Sequence, residues 1–215
     1  MPTYHLAMTF QGFPEAALDF YDDLEQDNSK AFWEAHKETY QRAVAGPMNQ
    51  LAEALSDEFG QAKVFRPYRD VRFAKDKTPF KTHQGAFVAV GPATGYYVQI
   101  GAPGVKIAAG FYDSTPERLA NLRAAIDNDL FGPELEKITE TLRAGGWEIG
   151  GATLKTAPRG WDKDHPRIAL LRHKTLTVSR DFGFEAFIHT PELIDRIRVG
   201  WREGTPLVEW AMQHG

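Results

Sequence analysis

Apolar residues at helical spacing fill the first sixty positions of the chain, and alternation then takes over. Leu18, Tyr21 and Leu24 recur at three-residue intervals behind Pro14, whose missing N–H costs nothing at a helix start. Asp27-Asn28 breaks the pattern. Ser29 suits the N-cap of a second helix that buries Phe32, Trp33, His36, Tyr40 and Val44. Gly46-Pro47 is expected to separate this helix from a third, with Met48, Leu51, Leu55 and Phe59 in register and Gly60 as its C-terminal cap.

Strand character begins at His83. The stretches 83–90, 96–100 and 105–112 alternate and are divided by turn residues, which predicts an antiparallel meander. Ser114 and Glu117 are spaced for a capping box ahead of Leu119, Leu122 and Ile126. Gly132-Pro133 introduces another helix, with Leu135, Ile138 and Leu142 on one face, ending at Gly145-Gly146. A hairpin over 147–154 is expected to turn at Gly150-Gly151, followed by a short helix after Pro166 and a strand over 176–179. Thr-Pro steps at 190–191 and 205–206 are expected to start two final helices. Helices first, then strands, then mixed elements predict an α+β fold. The expectation is a single domain over 1–215, with a mostly antiparallel sheet, helices packed against it and an N-terminal helical segment.

Composition narrows the class. The 215 residues are 42% hydrophobic and 25% charged, which is ordinary for a globular protein. Without cysteine there is no disulfide framework and no thiolate chemistry. The N-terminal residues lack the basic and apolar regions of a signal peptide, and no run approaches the length of a membrane span. The expected setting is the cytoplasm, without a membrane partner. A net charge of −4 argues against a broad nucleic-acid surface.

Against that acidic background, residues 66–83 carry six Arg or Lys and two Asp, a local charge of +4. Tyr68, Phe73 and Phe80 are interleaved among them. Such crowding of like charge is offset by solvent, by carboxylates from elsewhere or by a bound anion. Glu25, Asp27, Glu34 and Glu38 on the N-terminal helices are candidate internal partners. A structural ion-pair network, an anion pocket and a nucleic-acid groove are therefore all open readings, the last the weakest.

The string Arg69-Asp70-Val71-Arg72-Phe73, followed by Lys75-Asp76-Lys77-Thr78-Pro79-Phe80-Lys81, resembles the signature of the DUF2461 family, also called the TIGR02453 family. Asn28, Phe32-Trp33, Tyr40 and Pro47 fit its N-terminal pattern. Pro158-Arg159-Gly160, Asp164-His165-Pro166, Leu170-Leu171 and Lys174 fit its C-terminal one. The likeness runs over nearly the whole chain. It implies a shared fold and brings no reaction or catalytic residue with it. Phe80 stands where the family commonly has Tyr.

Arg69 and Arg72 offer planar donor forks suited to phosphate or carboxylate, and Lys77 and Lys81 offer point charges. Asp70, Asp76 and His83 are the candidates for proton transfer if the protein is an enzyme. A second basic concentration spans 155–180. Arg159, His165 and Lys174 there are candidates to join the first cluster, while Lys163, Arg167 and Arg172 are expected to be solvated. The chain has no HExxH, GxSxG, GxGxxG or P-loop spacing. Asp162-Lys163-Asp164-His165 reads as a polar turn before it reads as a metal site, and no metal or cofactor is assigned. The functional expectation is binding of a small phosphate- or carboxylate-bearing ligand. The alternative is an interaction protein whose motif is an internal ion-pair network.

Overall fold

A computed structural model describes residues 9–72 and 75–215 of the chain. The expectation about the extreme N-terminus, and Phe73 of the basic window, lie outside the described residues. The fold is α+β, with a six-stranded antiparallel sheet and an N-terminal helical segment. The helices are α1 (Glu15–Gln26), α2 (Lys30–Thr39), α3 (Gly46–Phe59), α4 (Pro116–Asp127), α5 (Phe131–Ala144), α6 (Ile168–Leu171) and α7 (Glu192–His214). The strands are β1 (Ala62–Val64), β2 (His83–Gly91), β3 (Thr94–Gly101), β4 (Gly104–Phe111), β5 (Glu148–Gly150) and β6 (Leu176–Gly183). Their order in the sheet is β1-β2-β3-β4-β6-β5.

Two compact units divide the chain. The first holds the described residues up to Val88, Val98–Lys106 and Asp181–Arg198. Phe13, Leu24, Val44, Met48, Leu51 and Ile197 are fully buried in it. Ser29 caps α2 by accepting from the Phe32 N–H, and Gly60 ends α3 at φ +94°, a conformation that favours glycine. Gly46-Pro47 does not break the chain as expected. A π-helical turn, Tyr40–Ala45, carries α2 directly into α3, with the Gly46 N–H bonded to the Gln41 carbonyl. Proline is tolerated there because the wider turn has already displaced the bond that it removes.

The second unit holds Ala89–Tyr97, Ile107–Arg180 and Val199–Gly215. Small residues of α7 lie close to strands: a Cβ at Gly200 would meet the Ile107 side chain at 2.3 Å, and one at Gly204 would meet Ala109 at 2.8 Å. Pro206 starts no new helix, since it lies inside the 23-residue α7. Packing of that helix outweighs the single bond lost. The capping residue of α4 is Thr115, not Ser114; its hydroxyl accepts from the Arg118 N–H and Pro116 follows it. No hairpin turns at Gly150-Gly151 either. Glu148–Gly150 pairs with β6, and Thr153 bridges His173 instead.

Candidate functional site

Residues 65–72 and 75–82 form a finger between β1 and β2. Val64 pairs with Ala86 at its root, and Tyr68 bridges Phe80 further out. The Arg69 N–H donates to the Pro79 carbonyl at 2.9 Å, and the Lys81 N–H to the Pro67 carbonyl at 2.8 Å. Two prolines fix φ on either side of this ladder, so the finger keeps its shape with few bonds.

Alternation gives the finger two faces. One face turns to the N-terminal helices. Phe80 is buried and stacks on Trp33 at 4.2 Å with the rings 7° from parallel. The Asn28 amide closes a two-bond clamp on the Phe80 backbone, accepting from its N–H at 3.1 Å and donating to its carbonyl at 3.0 Å. Gln84 continues the same face. It accepts from the Tyr40 hydroxyl at 2.5 Å and donates to the Phe65 carbonyl at 2.6 Å. Burial pushes the Tyr40 phenol up to about 12, so it remains a donor to Gln84 at any physiological pH.

The other face holds Arg69, Lys81 and His83. The Lys81 ammonium donates to the Arg66 carbonyl at 3.0 Å and lies 5.3 Å from the centre of the Phe65 ring. Burial, and then the charge of Arg66, lower its pKa. Burial first, then Lys81, then Arg69, hold the His83 imidazole below its ordinary value. Lys81 and Arg69 therefore both oppose a positive charge on His83.

The tip is wired to itself. Asp70 accepts a two-pronged contact from Arg72, Nε to Oδ1 at 3.0 Å and Nη2 to Oδ2 at 2.7 Å. Arg69 pairs with Asp76 and also donates to the Thr78 hydroxyl at 2.6 Å. Asp76 accepts from the Thr78 N–H at 2.9 Å and from its hydroxyl at 2.8 Å. The Lys77 ammonium donates to the Val71 carbonyl at 2.9 Å. Bonds from Arg72 hold Asp70, and bonds from Thr78 and then Arg69 hold Asp76, below the usual carboxylate range. Neither carboxylate is suited to carry a proton near neutrality. Among the described residues, the tip's two aspartates take Arg69 and Arg72, and no carboxylate pairs with Arg66, Lys75, Lys77 or Lys81.

The second basic segment lies in the second unit, and so do the partners of its charged groups. His165 is pinned on both nitrogens. Its Nδ1 accepts from the Arg167 N–H at 3.0 Å, so Nε2 carries the proton and donates to Asp127 Oδ1 at 2.8 Å. Asp162–His165 is a polar turn, with the Asp164 N–H on Asp162 Oδ1 at 2.8 Å. The exposed Arg159 and Lys174 side chains show no ion pair among the described residues. Arg167 and Arg172 correct the expectation of solvated side chains. Arg167 is buried and closes the C-terminal end of α4, donating to the Ile126 carbonyl at 2.7 Å and the Asp127 carbonyl at 3.2 Å. The negative end of the helix dipole offsets its charge there. Arg172 donates to the Leu154 and Lys155 carbonyls at 2.7 and 2.9 Å.

One concavity has no counterpart among the sequence motifs. A cavity of about 730 Å³ in the first unit brings Thr9, Gln11, Arg42, Gln50 and His189 together. Their separation along the chain left no local signal. No group of three or more His, Asp or Glu side chains among the described residues is placed to hold a metal ion. No helix among those residues is long and apolar enough to cross a membrane.

The family model described as a conserved hypothetical protein, DUF2461, matches residues 16–210. Among solved structures, the chain is similar to an uncharacterized protein from Methanothermobacter thermautotrophicus. The identity is 15% and the TM-score 0.39, over 78% of this chain and 99% of that one. No curated protein matches the chain.

Proposed function

The chain belongs to the DUF2461 family, and we propose that it binds a small phosphate- or carboxylate-bearing ligand on the Arg69, Lys81 and His83 face of the finger. One observation carries this reading: Lys81, half-buried beside Phe65 and Arg66, has no carboxylate of the described chain to offset it. An anion placed between Lys81 and the unused donors of Arg69 would relieve the repulsion and accept charge-assisted hydrogen bonds. The guest would rest on a prepared surface, because the Asn28 clamp and the Trp33 stack fix the opposite face. Lys77 and Arg72 are committed to the tip and would reach a ligand only through their remaining donors. The proposed setting is cytoplasmic, in keeping with a chain that has no cysteine.

A second reading has its own support. The Asp70–Arg72 and Asp76–Arg69–Thr78 contacts are what a self-bracing structural finger requires. The two readings separate in a thermal-shift series with inorganic phosphate, pyrophosphate and citrate. Ligand binding predicts stabilisation that grows with concentration and is lost in Lys81→Ala. A purely structural finger predicts that wild type and variant respond alike.

A further inference from the structure

The 730 Å³ cavity of the first unit is built from three distant segments. Residues 9–14 are tied to the 3₁₀ turn Ala186–His189 by two bonds: the Phe13 N–H donates to the Ile188 carbonyl at 2.9 Å, and His189 Nδ1 donates to the Phe13 carbonyl at 2.7 Å. Gly12, at φ +102°, permits the close approach. A Cβ there would fall 2.1 Å from the His189 carbonyl carbon. The third wall is the π-helical turn and the start of α3. Its Gly46-to-Gln41 bond shifts the register by one residue, and Gln41, Arg42, Gly46, Pro47 and Gln50 line the space. Such turns recur at functional sites because they re-aim side chains without ending a helix.

The chemistry of the lining is one-sided. Among the described residues it contains one guanidinium, an imidazole, three carboxamides and a hydroxyl, and no Asp or Glu. Arg42 forms no ion pair with a described carboxylate. The bond from Nδ1 to the Phe13 carbonyl places the proton of the neutral His189 ring on that nitrogen and leaves Nε2 as an acceptor. A guest therefore meets a cation that seeks an anion and an acceptor that seeks a donor. With no acid in the walls, that donor is better a hydroxyl than an ammonium. The volume falls within the roughly 300–1,000 Å³ of small-molecule sites.

We infer that this cavity is a binding site, separate from the finger, for a small hydroxy-carboxylate. The carboxylate pairs with Arg42, a hydroxyl donates to His189 Nε2, and the glutamine amides take further oxygens.

Gluconate is the probe, with sorbitol as the hydroxyl-only control and hexanoate as the carboxylate-only control. Calorimetry and ¹⁵N NMR are run on the full chain. Gluconate should bind, should shift the Gly12 and Gly46 amides and the His189 ring nitrogens, and should exceed both controls by about tenfold or more. Arg42→Gln and His189→Gln should each weaken it by a similar factor, with unchanged circular dichroism showing intact folds. Lys81→Ala should leave it unchanged, so this site and the finger succeed or fail separately. The inference is overturned if gluconate leaves those resonances unmoved, if sorbitol or hexanoate matches it, or if Arg42→Gln binds as wild type does.

Discussion

Two stretches of this chain are rich in cations, and the fold treats their arginines differently. In the segment 155–180, Arg167 and Arg172 turn inward onto backbone carbonyls, and the C-terminal end of α4 takes the first of them. In the finger, Arg69 and Arg72 turn onto aspartates a few residues away, and Lys81 is left near Arg66 and His83. Both began as the same sequence observation, an excess of Arg and Lys. What separates them is the supply of unsatisfied acceptors. A helix C-terminus presents several orphan carbonyls, whereas a tight finger presents few. A cation cluster therefore points to a guest only where helix ends and acids run out.

Breaking the buried side of this comparison should have the largest effect. Arg167→Ala removes the cap of α4 and leaves its carbonyls buried without partners. It should cost about 3 kcal/mol in urea unfolding, nearly all from the carbonyl bonds, because Asp129 is fully exposed. Asn28→Ala should come next. Losing both bonds to Phe80 should cost about 2 kcal/mol and loosen the finger, read as faster amide exchange at Lys81 and Arg69.

Acid should act more gently. His83 and His173 both have folded pKa values below the ordinary 6.5, so the folded chain binds fewer protons than the unfolded one. Their contribution is fully present above pH 6.5 and is lost as pH falls through the ordinary value toward the folded ones. Lys81→Ala should make that decline shallower, though burial, the larger cause, remains. Arg72→Ala should have the smallest effect: an exposed contact between residues two apart should leave the melting temperature unchanged within error.

Much of the frame was legible in sequence. The Tyr21 and Leu24 positions of α1, the Ser29 cap and the strands after His83 each report a local rule that packing did not override, although Ala17 and Phe20, not Leu18, complete the buried face of α1 and β2 buries consecutive residues instead of alternating. Where tertiary packing outweighed a local signal, the expectation failed. Gly46-Pro47 and Pro206 look like breaks, but one follows a π turn and the other sits inside a helix whose small residues lie tight against strands. The finger was recognisable from its residues, yet its wiring was not. Nothing in the order Arg-Asp-Val-Arg says that Arg72 takes Asp70 while Arg69 reaches forward to Asp76. Arg167 was misjudged because a buried guanidinium facing carbonyls has no linear signature. The Arg42–His189 cavity was invisible for a related reason: its walls come from three separate segments of the chain.

The central claim is that the Arg69, Lys81 and His83 face holds positive charge in reserve for an anion. The most direct measurement is the NMR titration of His83, with and without inorganic phosphate, in wild type and Lys81→Ala. Phosphate should raise the His83 pKa in wild type, by offsetting the two neighbouring cations, and should have little effect in the variant. A His83 titration that phosphate leaves unmoved, or moves equally in both proteins, would contradict it.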